Sequence, residues 1–450
     1  MRIVRWFFTL LVLAGLAFAA VYYYAGTLDG PSITINQPSV VGQGGTLDVT
    51  VVAPGGKLTA LNIQVEQKGR TFPVLDLASS PVPALVTEGN RVRITRPIGK
   101  KTLPELESGP ATLKVSASRP VLRALRQVSS ESSKDIHVRL TPPRVSVVST
   151  HHYVNQGGSE MIVYRVTPSD VDSGVRVGDV VYPAFPASGA QMKDPELKVA
   201  FFALLYSQAP DTPMEVFALD IAGNEARAQF EHRVFPQKFR SSRIPLDDKF
   251  LGRVVPAILQ SSPELKVSAD DMLPAFLKIN NDLRRMNNDT IAALATKTAP
   301  AILWEGAFQP LGGSQVESSF ADFRTYLYDG KDVDRQVHLG FDLAKTANAP
   351  VTVANNGKVL FAGELGIYGN TVLVDHGMGV QSLYAHLSSF AVKDGDDVKK
   401  GQTLGASGQT GLAGGDHLHF SMMVNGQFVN ATEWWDPHWI EDRIMRKLRP

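Results

Sequence analysis

From Trp6 to Tyr24 the chain carries no charged residue and is rich in Leu, Ala, Val and Phe. At about 1.5 Å of rise per helical residue, such a run crosses a hydrocarbon core of roughly 30 Å. Arg2 and Arg5 precede it, so the positive-inside rule leaves the N-terminus in the cytoplasm and exports everything after Tyr24. Two fates follow for residues 1–29. The apolar run continues into Val21 and three tyrosines suited to a membrane interface, as a retained single-pass anchor in the cytoplasmic membrane would. Ala17-Phe18-Ala19 resembles a small-x-small cleavage site, which would make the same segment an export signal that is removed. In both cases the body of the protein is expected in the periplasm or otherwise outside the membrane.

That body is too long for a single core: 450 residues predict several domains. Lys and Arg number 45 against 44 Asp and Glu, a net charge of +1 that gives no electrostatic footprint for nucleic acid, so none is expected as a partner. The chain has no cysteine. Disulfides, iron–sulfur clusters and thiolate zinc sites are thereby excluded together, and any metal site must be built from histidine and carboxylate.

Between residues 30 and 144, apolar residues alternate: Leu47, Val49 and Val51, then Leu61, Ile63 and Val65, then Val92 with Ile94, then Leu113 with Val115. Period two predicts half-buried strands, and Gly44-Gly45, Pro54-Gly55-Gly56 and Ser108-Gly109-Pro110 supply turns between them. A small β-sandwich is expected. Residues 145–236 repeat the pattern with Ile162 to Val166, Val199 to Tyr206 and Val216 to Leu219, and close on Asp220-Ile221-Ala222-Gly223-Asn224. That ending loosely resembles the last hairpin of bacterial immunoglobulin-like modules, so two immunoglobulin-like β regions are expected in tandem. Residues 237–300 change period: Met272, Phe276, Ile279, Leu283 and Met286 recur every three or four positions, with Asp270 and Asp271 early and Arg284 and Arg285 later. This predicts an amphipathic helical linker whose methionines and phenylalanine are core. It is expected to dock on a neighbouring domain or act as a stalk.

Of the ten histidines, His338, His386, His417 and His419 lie in the C-terminal third beside glycine or strand-like sequence. His338 and Asp342 are separated by an even number of residues, which on one strand would put both on one face. His417-Leu418-His419 places two imidazoles on a common face about 6–7 Å apart. Taken singly, the first pattern is commonly a salt bridge and the second a solvated strand face. Taken together, two histidines and a carboxylate from two segments would give three protein ligands and leave a fourth position for water, as in a catalytic zinc site.

The residues around these positions resemble the lysostaphin and LytM-like zinc endopeptidases over 307–432. Family features occur in order: Phe308-Gln309-Pro310, Phe320 to Arg324, His338 to Asp342, Asn356-Gly357-Lys358-Val359, Tyr368-Gly369-Asn370, Val374 to Gly377, Leu383-Tyr384-Ala385-His386-Leu387, Gly408-Gln409-Thr410-Gly411 and His417-Leu418-His419-Phe420. The family's usual Phe-Gly-x-Arg is one residue longer here. The resemblance implies an antiparallel-β peptidase domain over 301–450, with one zinc ion bound by His338, Asp342 and His419. It implies that His386 and His417 are catalytic, facing the metal-activated water and the substrate. The expected fold is therefore mainly β, an N-terminal membrane helix followed by two sandwich regions, a helical linker and the peptidase domain.

The implied function is hydrolysis of peptidoglycan stem-peptide cross-links outside the membrane. D-Alanyl–diaminopimelate bonds are expected, with glycine bridges as the other choice. The architecture also implies that a protein regulator, or the chain's own helical or β regions, controls the active site. The alternative within the family is an inactive regulator that activates another wall hydrolase; such relatives have lost zinc-site residues, whereas all five positions are present here. His376, in an Asp-His-Gly turn, is expected to be structural, and His137, His151, His152, His232 and His438 are assigned no role.

Overall fold

A computed structural model describes residues 2–55, 57–77, 85–268 and 271–449, with 85–87 described by backbone alone. Asp270, expected at the start of a helix, lies outside the described residues. The chain divides into two compact units, Met1–Pro143 with Leu219–Glu225, and Arg144–Ala218 with Ala226–Pro450.

The first unit opens on the helix Arg2–Ala25, whose 24 residues have a mean hydropathy of 2.1 in their most apolar window and leave that window unburied. Its length is about 36 Å. It is long and apolar enough to cross a membrane. Two sheets follow. One runs in the order Ser32–Gln37, Thr46–Val52, Arg91–Pro97 and Leu85–Glu88; the other in the order Val40–Val41, Arg126–Val138, Gly109–Val121, Ala60–Gln67 and Arg70–Asp76. Leu47, Val49 and Val51 from the first sheet and Leu61, Ile63, Val65, Leu113 and Val115 from the second are buried in one core. The alternation in the sequence is thus the inward face of each strand.

In the second unit a single apolar core runs from Val154 to Ile444, through the β segments after residue 144, the helical segment and the C-terminal strands. Here Ser159–Thr167 lies between Arg144–Val147 and Leu197–Ala203, all antiparallel. Asp247 caps the helix Asp248–Ser261 by accepting from Phe250 N at 2.7 Å. Met272–Lys278 passes through a π-helical turn, Ile279–Leu283, into Arg284–Ala295. Phe276, Ile279 and Leu283 are buried as their spacing predicts, but Met286 is 36% exposed. From Leu283 the buried positions repeat every four residues, through Asn287, Ile291 and Ala295, which turns Met286 outward.

The C-terminal strands form an eight-stranded sheet. Its path runs Gln315–Ser318, Phe341–Ala344, Leu418–Val424, Val380–Leu387, Asn370–Gly377, Gly357–Glu364 and Asp397–Val398, with Gln427–Val429 paired to Leu418–Val424. A three-stranded sheet stands beside it, with Asp322–Tyr328 between Ser241–Leu246, to which it is parallel, and Lys331–His338. The last helical turns return to the early strands: Lys447 Nζ lies 2.8 Å from Glu160 Oε1, with side chains 5% and 0% exposed. Burial raises the Glu160 pKa and lowers that of Lys447, while each opposes the other's shift. Removing one partner strands the other charge in the core. Lys447→Ala is therefore expected to destabilise this unit by about 3–5 kcal/mol, measured by urea unfolding with tryptophan fluorescence, because Trp304, Trp434, Trp435 and Trp439 all report from it.

Candidate metal centre

His338 and Asp342 do not share a strand, contrary to the even-spacing expectation. His338 ends Lys331–His338 in the three-stranded sheet, and Asp342 lies in Phe341–Ala344 of the eight-stranded one. The chain crosses between sheets at Leu339-Gly340. A β-carbon at Gly340 would come within 2.6 Å of His419 Nε2, Phe420 O and Ser421 Oγ, so the crossing requires glycine.

Sheet register then assembles the site. Asp342 pairs directly with His419, and His419 pairs on its other side with Ala385. Opposite Thr371, two residues, Ala385 and His386, stand where one would be expected, which is a β-bulge. His386 has a left-handed backbone, φ 61°. Bulge and φ together turn its ring, whose centroid lies 5.0 Å from that of His417 and 5.7 Å from that of His419. All five expected residues line one buried cavity of about 100 Å³.

Three donors converge: His338 Nε2 lies 2.9 Å from Asp342 Oδ1 and 3.0 Å from His419 Nδ1, and these last two are 3.1 Å apart. The hydrogen-bond network fixes which ring nitrogens carry protons. His338 Nδ1 donates to Ser319 O at 3.1 Å, leaving Nε2 as a lone pair. Ser421 Oγ donates to Leu339 O at 2.9 Å and so accepts from His419 Nε2 at 3.0 Å, leaving Nδ1 as a lone pair. Two imidazole lone pairs and a carboxylate aimed at one point repel unless a cation lies between them. For metal bonds of about 2.0–2.1 Å, a tetrahedral edge is on the order of 3.3 Å, so the donor set fits such an ion.

The surroundings hold Asp342 ionised. Its burial opposes charge, but the His338 imidazole and the close His417 and His419 rings prevail and keep its carboxyl well below the usual range. Burial pushes His419 down to about 4, and burial with the neighbouring His417 and His419 pushes His386 well down. His417 is also penalised by burial, yet its contact with Asp342 raises it; its Nε2 is 3.4 Å from Asp342 Oδ1. His386 Nδ1 donates to Thr410 O at 2.8 Å and His417 Nδ1 to Gly415 O at 2.9 Å. Both therefore present Nε2 to the cavity.

Three further residues of this wall carried no role in the sequence reading. Arg324 Nη2 bonds Asp342 Oδ2 at 2.9 Å and Ser318 Oγ at 2.8 Å, locking the carboxylate so that Oδ1 faces the histidines. Ala321, where the family usually has glycine, adopts the left-handed φ of 59° that glycine would supply, so the extra residue still delivers Arg324. Tyr368 and Arg284 also line the cavity. Tyr368 lies within a quoted motif, whereas Arg284 was visible only as one basic residue of a helix. That helix packs on the loops flanking the site: Ile367 N donates to Asn287 Oδ1 and Tyr368 OH to Asn288 Oδ1, both at 2.9 Å.

Residues 336–431 match the model of peptidase family M23. They form an M23 domain. Over 95 residues the chain is 42% identical to the DD-carboxypeptidase/endopeptidase Mpg of Neisseria meningitidis, covering 21% of this chain and 22% of the relative. It is 39% identical over 94 residues to the peptidoglycan DD-endopeptidase ShyA of Vibrio cholerae, again 21% of this chain and 22% of that one. The chain thus spans about a fifth of the length of the curated relatives it matches. Among solved structures, a putative M23 peptidase from Pseudomonas aeruginosa aligns at 19% identity and a TM-score of 0.39, over 63% of this chain and 94% of that one.

His376 lies inside the M23 domain and away from the donor cluster. Ala354 N donates to Tyr384 OH at 2.7 Å, Ser382 Oγ lies 2.9 Å from that hydroxyl and 2.7 Å from His376 Nε2, and His376 Nδ1 donates to Asn356 O at 2.7 Å. Burial pushes His376 down to about 4. A depressed folded pKa gives stability that is complete above the unfolded value of about 6.5 and is lost as pH falls toward 4. His376→Gln is expected to melt lower than wild type at pH 7.5 and to lose less on acidification from pH 6.5 to 4, as thermal unfolding across that range would show.

Proposed function

We propose that the chain is a zinc-dependent endopeptidase that hydrolyses stem-peptide cross-links of peptidoglycan, held at the cytoplasmic membrane by Arg2–Ala25 with its body outside. The observation that carries this reading is the convergence of His338, Asp342 and His419, whose ligand atoms all lie within 4.8 Å of one another. The activities for which the Neisseria and Vibrio relatives are named support the substrate class. The apolar helix supports the compartment.

His338 Nε2, Asp342 Oδ1 and His419 Nδ1 would hold the zinc. When bound, zinc supplies Lewis acidity toward a carbonyl oxygen and a water acidified toward neutral pH. The protein's own groups supply the rest. His386 and His417 hold Nε2 toward the cavity, where an imidazole can take a proton from water and pass it to the leaving nitrogen of the peptide. Arg324 keeps Asp342 from rotating, and Ser421 and the Ser319 carbonyl hold the ligand imidazoles in the tautomers that leave the facing nitrogens free. Burial of these rings excludes bulk water and strengthens each electrostatic contact. The bond proposed for attack joins D-alanine to diaminopimelate.

The roles separate experimentally. Elemental analysis is expected to find zinc in the wild-type chain and none in His338→Ala, Asp342→Ala and His419→Ala. His386→Ala and His417→Ala should keep it and release muropeptides from purified sacculi about 10²–10⁴-fold more slowly. A wild-type chain that takes up no zinc, or full release by both His386→Ala and His417→Ala, would sink the proposal. Ser421→Ala, which removes the acceptor for His419 Nε2, should weaken zinc affinity by about 10–100-fold in a competition titration with a chelator.

A further inference from the structure

An open groove of about 460 Å³ adjoins the buried cavity, and Arg284 and Arg324 line both. Three arginines border this groove, the third being Arg335, and no acidic residue is among the described residues that line it. Two of the three are already engaged. Arg324 is tied to Asp342, and Arg335 is 80% exposed with Asp332 at 3.9 Å. Arg284 is different: it is half-buried, and no carboxylate lies within ion-pair distance of it among the described residues.

Its guanidinium is nevertheless held in place. Nε donates to Asn280 O at 3.1 Å and Nη2 to Asn280 Oδ1 at 2.5 Å. Asn280, fully buried, donates through Nδ2 to Asp334 Oδ2 at 2.8 Å, on the strand that ends at His338. Asn280 sits in the π-helical turn Ile279–Leu283, immediately before Arg284, and π-helical turns are common where a helix serves a site. The result is a fixed cation with donors left over, at the junction of the groove and the metal-site cavity. Its planar fork matches a carboxylate, which it can bind through two parallel N–H donors.

We infer that Arg284 is a specificity-determining residue that binds a free carboxylate of the peptide lying in this groove, next to the bond to be cut. This rests on the peptidase reading above and names the chemistry of its substrate: an anionic stem peptide rather than an uncharged one such as a glycine bridge. The residue comes from the helical segment, outside residues 336–431, so substrate choice is written partly outside the family domain.

The test uses the full chain in detergent and two synthetic cross-linked stem-peptide dimers, identical except that the diaminopimelate carboxyl next to the cross-link is free in one and amidated in the other. Binding by calorimetry and cleavage by mass spectrometry are both measured. Wild type should bind the free-carboxylate dimer about 10–100-fold more tightly than the amide, the range expected for a hydrogen-bonded charge pair. Arg284→Gln should bring that ratio close to one, Arg284→Lys should restore part of it, and Arg285→Gln, on the adjacent exposed position, should leave it unchanged. Equal binding of both dimers by wild type, or an undiminished ratio in folded Arg284→Gln, overturns the inference; if that variant does not fold, the wild-type ratio and Arg284→Lys decide. Discrimination in binding without cleavage would instead overturn the peptidase reading while leaving the carboxylate site standing.

Discussion

The antiparallel ladder that places Asp342 opposite His419, and His419 opposite Ala385, is the constraint on which the rest of the site depends. A ladder has no intermediate settings. A slip of one residue on any of these three strands would send the donor to the opposite face of the sheet. The apolar core that fixes the register, with Phe341, Leu343, Leu418, Phe420 and Leu383 buried among these strands, therefore also fixes donor geometry. Packing and chemistry are determined together, and the hydrogen bonds to Ser318, Ser421, Thr410 and Gly415 refine ring orientations that register has already made approximately correct.

Much of this was legible in the sequence, for identifiable reasons. Leu47, Val49 and Val51 read as a strand face because the period of two is local and needs no tertiary knowledge. The five cavity residues were legible because their neighbours form an ordered series resembling one family, which no count of histidines could replace. The errors came where two elements meet. His338 and Asp342 straddle a crossing between sheets, and even spacing is informative only within one strand. Met286 faces out because burial beyond the π-helical turn settles into steps of four, which a pattern of three and four does not fix. Arg284 could not be found at all, since a cation on a helix becomes a site residue only through what the helix packs against.

Polar groups tie the C-terminal helices to the early strands in the same way that apolar groups tie the sheets. Glu433 accepts from Asn155 Nδ2 and Ser159 N, both at 2.8 Å, and Trp434 Nε1 donates to Ser159 Oγ at 3.0 Å. These partners are more than 270 residues apart. Burial without such bonds would be prohibitive, so each bond restricts how the segments can meet.

The boundary drawn by family similarity and the boundary drawn by packing do not coincide. Residues 336–431 carry every proposed ligand, yet Arg324, which steadies one of them, and Arg284 and Tyr206, which wall the adjoining groove, come from upstream. Changes upstream can thus reshape the groove without touching residues 336–431. An insertion or exchange in the helices or the preceding β segments would change the groove's lining at Arg284 or Tyr206, while the donor cluster, held by its own strand register, would keep its geometry.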